Sequence, residues 1–123
     1  MNYTDFNQNI SFVFSGRFLH YLKYSDAEKM LKILHKKTKV GAKLYFSISG
    51  IDTDLAENYF GKNVEIEKRF FKISANLQNR FSIKEKVCLY SEAEAEKLFS
   101  KYFSVLKIEK TAFGNINIIA EKK

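Results

Sequence analysis

Apolar positions along the chain switch between two periods, and the order of the switches predicts an architecture. Residues 9–14, Asn-Ile-Ser-Phe-Val-Phe, form a mostly apolar, β-branched and aromatic run between a polar stretch and Ser15-Gly16, which predicts a buried strand. From Ser25 the period becomes helical. Ser25 and Glu28 have capping-box spacing, Met30, Leu31 and Leu34 share a face, and Lys36-Lys37 suits a helix C-terminus. Gly41 is the expected stop. Lys43–Ser49 then predicts a second strand with an apolar middle. Strand, helix and strand make a βαβ unit, which implies parallel neighbours and a right-handed crossover.

The second half is less regular. Asp52–Phe60 predicts a short helix, and the positions through Val64, Ile66 and Phe70-Phe71 fit neither period. A second capping box, Ser91-x-x-Glu94, opens a helix with Ala93, Leu98, Phe99 and Tyr102 on one side. Phe103–Lys110, a Gly114-Asn115 turn and Ile116–Ala120 predict a terminal hairpin. The whole reads as one α/β domain, residues 1–123, with residues 51–90 as an insertion.

Composition narrows the class. With 123 residues, 46% of them hydrophobic, the chain can build one sizeable core. No proline, five glycines and a single cysteine exclude collagen-like and disulfide-rich designs. Cys88 has no internal partner, which points to a reducing compartment; no apolar run approaches a membrane span, and Met1-Asn2-Tyr3 does not begin a signal peptide. The expectation is a soluble cytoplasmic protein with no membrane association. The 21 basic residues exceed the 14 acidic ones, giving +7, yet only Arg17, Arg69 and Arg80 are arginine. Lys36–Lys43 is therefore a weak candidate for nucleic-acid binding, and lysines scattered over a solvated surface explain the charge more simply.

The order of elements, with these local sequences, resembles the C-terminal half of a class I S-adenosylmethionine-dependent methyltransferase. Ile10–Phe14 followed by Ser15-Gly16-Arg17-Phe18-Leu19-His20-Tyr21-Leu22 is similar to the family's fourth strand and its "xxLxHL" loop. Ala27–Val40, ending Lys39-Val40-Gly41-Ala42-Lys43, is similar to the next helix and its "L-K-P-G-G-x-L" exit, with Val40 for the proline and Ala42 for the second glycine. Lys43–Ser49, Ser91–Tyr102 and the hairpin resemble the fifth strand, the last helix, and strands six and seven. The resemblance implies a partial Rossmann-like α/β sheet, strands four to seven with a terminal antiparallel hairpin and flanking helices. It implies S-adenosylmethionine as cofactor. The glycine-rich loop that lets backbone approach such a ligand is missing, however: no G-x-G-x-G occurs among Gly16, Gly41, Gly50, Gly61 and Gly114. The expectation is a truncated or split enzyme, inactive alone, whose strand 10–14 is an exposed edge that forms a homodimer or accepts a complementary N-terminal half. The alternative is a non-catalytic interaction module derived from a methyltransferase.

Ligands of open parallel sheets bind beyond the carboxyl ends of the strands. That directs attention to Ser15–Tyr21 and Gly50–Asp54. His20 is the candidate catalytic base, against the alternative that it packs the next helix. Ser15, Arg17, Tyr21, Asp52 and Arg69 are candidate substrate contacts, and Ser15 and Gly16 candidate partial cofactor contacts, by the resemblance. Arg17 suits an acidic acceptor. Asp52 with Asp54 reads as an acid/base pair or, more simply, as Asp52 or Thr53 capping a helix. Cys88, His20 and His35 lack metal-ligand spacing.

Overall fold

The computed structural model describes residues 10–123. Strand β1 spans Ile10–Gly16 and helix α1 Tyr24–Lys37; strand β2 spans Thr38–Ile48. A short helix α2, Ala75–Phe81, precedes α3, Glu92–Ser100, and the chain closes with β3, Ser104–Lys110, and β4, Ile116–Glu121. The sheet order is β1-β2-β4-β3; β1 and β2 run parallel, and β4 is antiparallel to both β2 and β3. The βαβ unit and the hairpin are thus both present.

Helix α1 shows where local signals yield to tertiary contacts. It begins at Tyr24 with Lys23 as N-cap and no side-chain cap bond, so Ser25 lies inside the first turn and the expected capping box does not form. Glu28 turns instead to Lys101, 2.5 Å away. Tyr24, Ala27 and Leu31 bury one face, with Met30 and Leu34 packed alongside. The helix ends at Lys37, four residues before the expected stop. Thr38 donates its hydroxyl to the Leu34 carbonyl at 2.8 Å, and the Lys122 ammonium donates to the His35 and Thr38 carbonyls. A hydroxyl and a cation satisfy the terminal carbonyls that a glycine cap would otherwise serve. Gly41 lies within β2 at φ +87°, where the β1–β2 register jumps from Ile10 opposite Thr38 to Phe12 opposite Lys43. It is a bulge glycine, and β2 starts five residues earlier than its apolar core suggests.

Period-two alternation divides the sheet into unlike faces. Leu44, Phe46, Ile48, Ile116, Ile118 and Ala120 are fully buried and meet Leu31, Leu98, Phe99 and Phe103 in the main core. On the opposite face, Phe12 and Phe14 are 61% and 65% exposed and share an open concavity with Tyr45, Lys43 and Ile119. Helix α3 has the capping box expected of it: Ser91 accepts from the Glu94 N–H, and Glu94 accepts from the Ser91 N–H. Its buried face carries Ala95, Leu98 and Phe99, while Ala93 is exposed.

Residues 51–90 contain three 3-10 turns, at Asp54–Ala56, Phe60–Asn63 and Ile66–Lys68, and then α2. The helix expected over Asp52–Phe60 is therefore only broken turns. This segment has its own small core of Leu55, Tyr59, Ile73, Leu77, Val87 and Leu89. Its exit strand is pinned beside the entry by a parallel bridge, Gly50 to Tyr90. A side chain at Gly50 would strike the Gly114 carbonyl oxygen, and one at Gly114 would meet the Thr53 backbone nitrogen at 2.7 Å. The hairpin turn therefore rests directly on the loop after β2. Gly114 is also at φ +89°, whereas Gly41, at φ +87°, has open space around it. Gly114→Ala is expected to destabilise the fold by roughly 2–4 kcal/mol and Gly41→Ala by only about 1 kcal/mol, the left-handed cost without the clash. Urea unfolding of both variants checks that order.

Candidate functional site

Parallel β1 and β2 end on the same side of the sheet, at Gly16 and Ile48. Because β4 runs the other way, the turn that precedes it returns to the same rim. Three loops therefore converge on one mouth: residues 17–22 after β1, 49–54 after β2, and 111–115 before β4. Between them and the end of α2 lies a cleft of about 480 Å³ lined by Arg17, Tyr21, Asp54, Leu55, Phe81 and Phe113, among others. The larger concavity, about 910 Å³, is the bare sheet face around Phe12, Phe14 and Tyr45, and it meets the mouth at Arg17. Only the smaller one sits beyond the strand ends, where chemistry belongs in such sheets.

Arg17 is held in an unusual pose. Its backbone is left-handed, φ +58°, its N–H donates to the Ser47 carbonyl at 2.7 Å, and its Nε donates to Ser47 Oγ at 3.0 Å. A non-glycine residue accepts that conformation at a cost of order 1–3 kcal/mol, so the β2 contacts over-determine it. The terminal guanidinium nitrogens have no carboxylate within ion-pair distance among the described residues. Asp54, on the same cleft, has no ion pair among them either.

His20 lies behind this surface. It is 2% exposed, its ring packs on Tyr21 with centroids 4.5 Å apart, and its Nδ1 accepts from the Ser49 N–H at 3.3 Å. Burial, reinforced by the Arg17 charge, lowers its pKa from 6.5 to about 4. The imidazole is thus neutral near pH 7, with one nitrogen already engaged, and it sets the relative positions of Tyr21 and Ser49, both of which line the cleft.

The remaining candidates separate. Ser15 is half-buried opposite Phe46 in the strand register, and Gly16 borders the open-face concavity. Asp52 forms an exposed ion pair with Lys110 at 2.9 Å. Thr53 precedes the first 3-10 turn, but its hydroxyl donates back to the Gly50 carbonyl rather than capping. Arg69 does not line the mouth cleft. It is buried, and its guanidinium donates to the Gly61, Val64 and Leu89 carbonyls and to both Glu94 carboxylate oxygens. Every donor is spent inside the protein, so the cation is an internal tie and has nothing left for a substrate. Cys88 is fully buried, and burial pushes its thiol up to about 12, which makes it an inert core group. Among the described residues, no group of three or more acidic, histidine or cysteine side chains could hold a metal, and no helix is long and apolar enough to cross a membrane. Lys43 pairs with Glu121 and Lys122 serves the α1 terminus, which reduces the free charge beside Lys36–Lys39. Phe81 and Phe113 are the cleft residues that sequence reasoning missed. Phe113 directly precedes the Gly114-Asn115 turn, and that antiparallel return was the signal that could have placed it at the rim.

No family model and no curated sequence matches the chain. Solved structures do. Protein PH0226 of Pyrococcus horikoshii superposes with a TM-score of 0.68 at 16% identity, over 96% of this chain and 54% of its own. An S-adenosylmethionine-dependent methyltransferase from Mesorhizobium loti gives 0.66 at 13%, over 94% and 63%. A chain from the complex between the Haloferax volcanii Trm112 methyltransferase activator and a methyltransferase gives 0.61 at 12%, over 94% and 55%. The fold is that of the C-terminal half of a class I methyltransferase. The four-stranded α/β sheet with flanking helices and a terminal antiparallel hairpin is the partial sheet that the sequence resemblance implied. The chain spans little more than half the length of these neighbours.

The neutral state of His20 has a measurable consequence. Its folded pKa lies below the unfolded value, so between pH 6.5 and about 4 the unfolded chain binds a proton that the folded chain refuses. Stability is complete above pH 6.5 and falls through that window by about 3 kcal/mol on this account. His20→Asn, which keeps an acceptor for the Ser49 N–H, is expected to flatten the slope between pH 6.5 and 4.5; chemical denaturation across that range measures it.

Proposed function

We propose that this chain is the acceptor-side half of an S-adenosylmethionine-dependent methyltransferase, competent only when residues outside it complete the donor pocket. The observation that carries this is the combination of a methyltransferase half-sheet with an unpaired, apolar β1 border among the described residues and no glycine-rich loop in the sequence. Methyl transfer is an in-line displacement, so much of the rate comes from holding acceptor and donor in line. Arg17 and Tyr21 hold and orient the acceptor, Ser15 and Gly16 border the donor side, and His20 positions the loop through Ser49. The bound donor supplies the reactive methyl group. The activator in the Haloferax volcanii complex shows that one protein of this fold works beside a second chain, which supports a partner for this one.

The same border supports a second reading, a non-catalytic module that docks through β1 and its bare face. Calorimetry separates the two. The chain alone is expected to give no micromolar binding of S-adenosylhomocysteine, and such binding would overturn the incomplete-pocket argument. Addition of a donor-side half restores binding under the first reading and not under the second. Sedimentation tests the border itself: self-association that rises with concentration and is suppressed by Phe14→Lys is the expected result. A well-behaved monomer at high concentration removes the exposed-edge argument.

A further inference from the structure

The mouth cleft combines features that define a ligand class. Its volume of about 480 Å³ is in the range of small-molecule sites and too small for a folded partner. Three aromatic rings reach it from three separate segments: Tyr21 after β1, Phe81 at the end of α2, and Phe113 before β4. Phe113 is 81% exposed, an uncompensated apolar surface at the rim. Leu55 adds an apolar wall. Against these stand two opposite charges, Arg17 and Asp54, which line one cleft without an ion pair to each other or to any other described residue.

An isolated guanidinium matches one carboxylate through two parallel N–H donors. A phosphate dianion fits poorly, because no lysine lines the cleft beside Arg17 and its second negative charge would go uncompensated. A carboxylate accepts hydrogen bonds and donates none, so Asp54 suits a hydroxyl or N–H on the ligand. We propose that the mouth cleft binds a small aromatic carboxylic acid bearing a hydroxyl group, with the carboxylate on the Arg17 guanidinium, the ring between Tyr21, Phe81 and Phe113, and the hydroxyl donating to Asp54. The strained backbone of Arg17 fits this role, since Ser47 fixes Nε and leaves the terminal nitrogens without a bond to any described residue. That such a molecule is the methyl acceptor rests on the methyltransferase reading; its binding does not.

The test is a ¹H–¹⁵N NMR titration of the chain with 4-hydroxybenzoate, which needs neither donor nor activity. Amide shifts are expected at Tyr21, Thr53 and Phe113. 4-Hydroxybenzyl alcohol, which lacks the acid, is expected to bind about tenfold more weakly, and 4-hydroxycyclohexanecarboxylate, whose ring is saturated, to lose a similar factor. 4-Methoxybenzoate, with its donor blocked, should also weaken, and Asp54→Ala, which removes the acceptor, should abolish that particular difference. Arg17→Asn, a residue that tolerates the left-handed backbone, is expected to erase discrimination between acid and alcohol. Phe113→Ser removes an exposed ring and should weaken every aromatic probe several-fold without altering the fold. Absence of shifts at the cleft up to millimolar ligand overturns the proposal, as does equal binding of acid and alcohol to the native chain. Cleft binding without donor binding by a complemented chain would overturn the methyltransferase reading alone; the converse would overturn only the aromatic acid.

Discussion

Strand β2 is hydrogen-bonded on both sides, parallel to β1 and antiparallel to β4, and that double pairing fixes the rest of the site. The parallel side brings two strand ends to one rim. The antiparallel side returns the hairpin turn to that rim, where Gly114 can lie against the loop after β2 only because neither it nor Gly50 carries a side chain. A one-residue slip of β2 would exchange its buried set, Leu44, Phe46 and Ile48, with Lys43, Tyr45 and Ser47. Burying a large apolar side chain is worth about 1.5–3 kcal/mol, so the register is held by several such terms acting together. Ser47, placed by this register, is the group that locks Arg17.

A second constraint operates through charge. The irregular segment has few ladder bonds, and Arg69 replaces them by tying three carbonyls and the Glu94 carboxylate into one network. Burial alone would raise the Glu94 pKa, but the hydrogen bonds from Arg69 and Ser91 prevail and hold it below the usual carboxylate value. Glu94 thus works twice, capping α3 and neutralising a buried cation. A buried charge that loses its partner is far costlier than a surface pair, which is why one residue can secure forty residues of turns.

The elements legible in the sequence were those whose signal is local. The apolar runs of β1 and β2, the hairpin around Gly114-Asn115 and the Ser91–Glu94 box all lie within a few residues of what they specify. Strand β1, expected to be buried, nevertheless leaves Phe12 and Phe14 exposed, because it borders the sheet and its outer face is bare. The misreadings fall where a distant group intervenes. Ser25 and Glu28 have box spacing, but Lys101 claims Glu28, and Lys122, 84 residues from Thr38, closes the helix that Gly41 was expected to end. Arg69 looked available for substrate because a lone arginine in an irregular stretch carries no mark of its partners. The mouth was legible as a region, from strand order alone. Its walls were not, since Phe81 and Phe113 arrive from segments whose positions depend on the hairpin return and on the small second core.

The unlike faces of the sheet connect these constraints to function. Phe12, Phe14, Tyr45 and Ile119 form an apolar surface on a chain of net charge +7, beside a border strand with unpaired backbone groups among the described residues. Covering two exposed phenylalanines is worth several kcal/mol, and each ladder bond formed adds to it. Association costs an amount of the same order in lost freedom, so a loosely fitting partner gains little while one that continues the ladder and covers the face together gains much. A half-sheet ending in that border therefore selects for a strand with its own covering layer. Arg17 lines both the bare face and the mouth, so an occupant of the first lies beside the second. The proposed completion of the sheet would therefore act on the same arginine that the proposed cleft ligand uses.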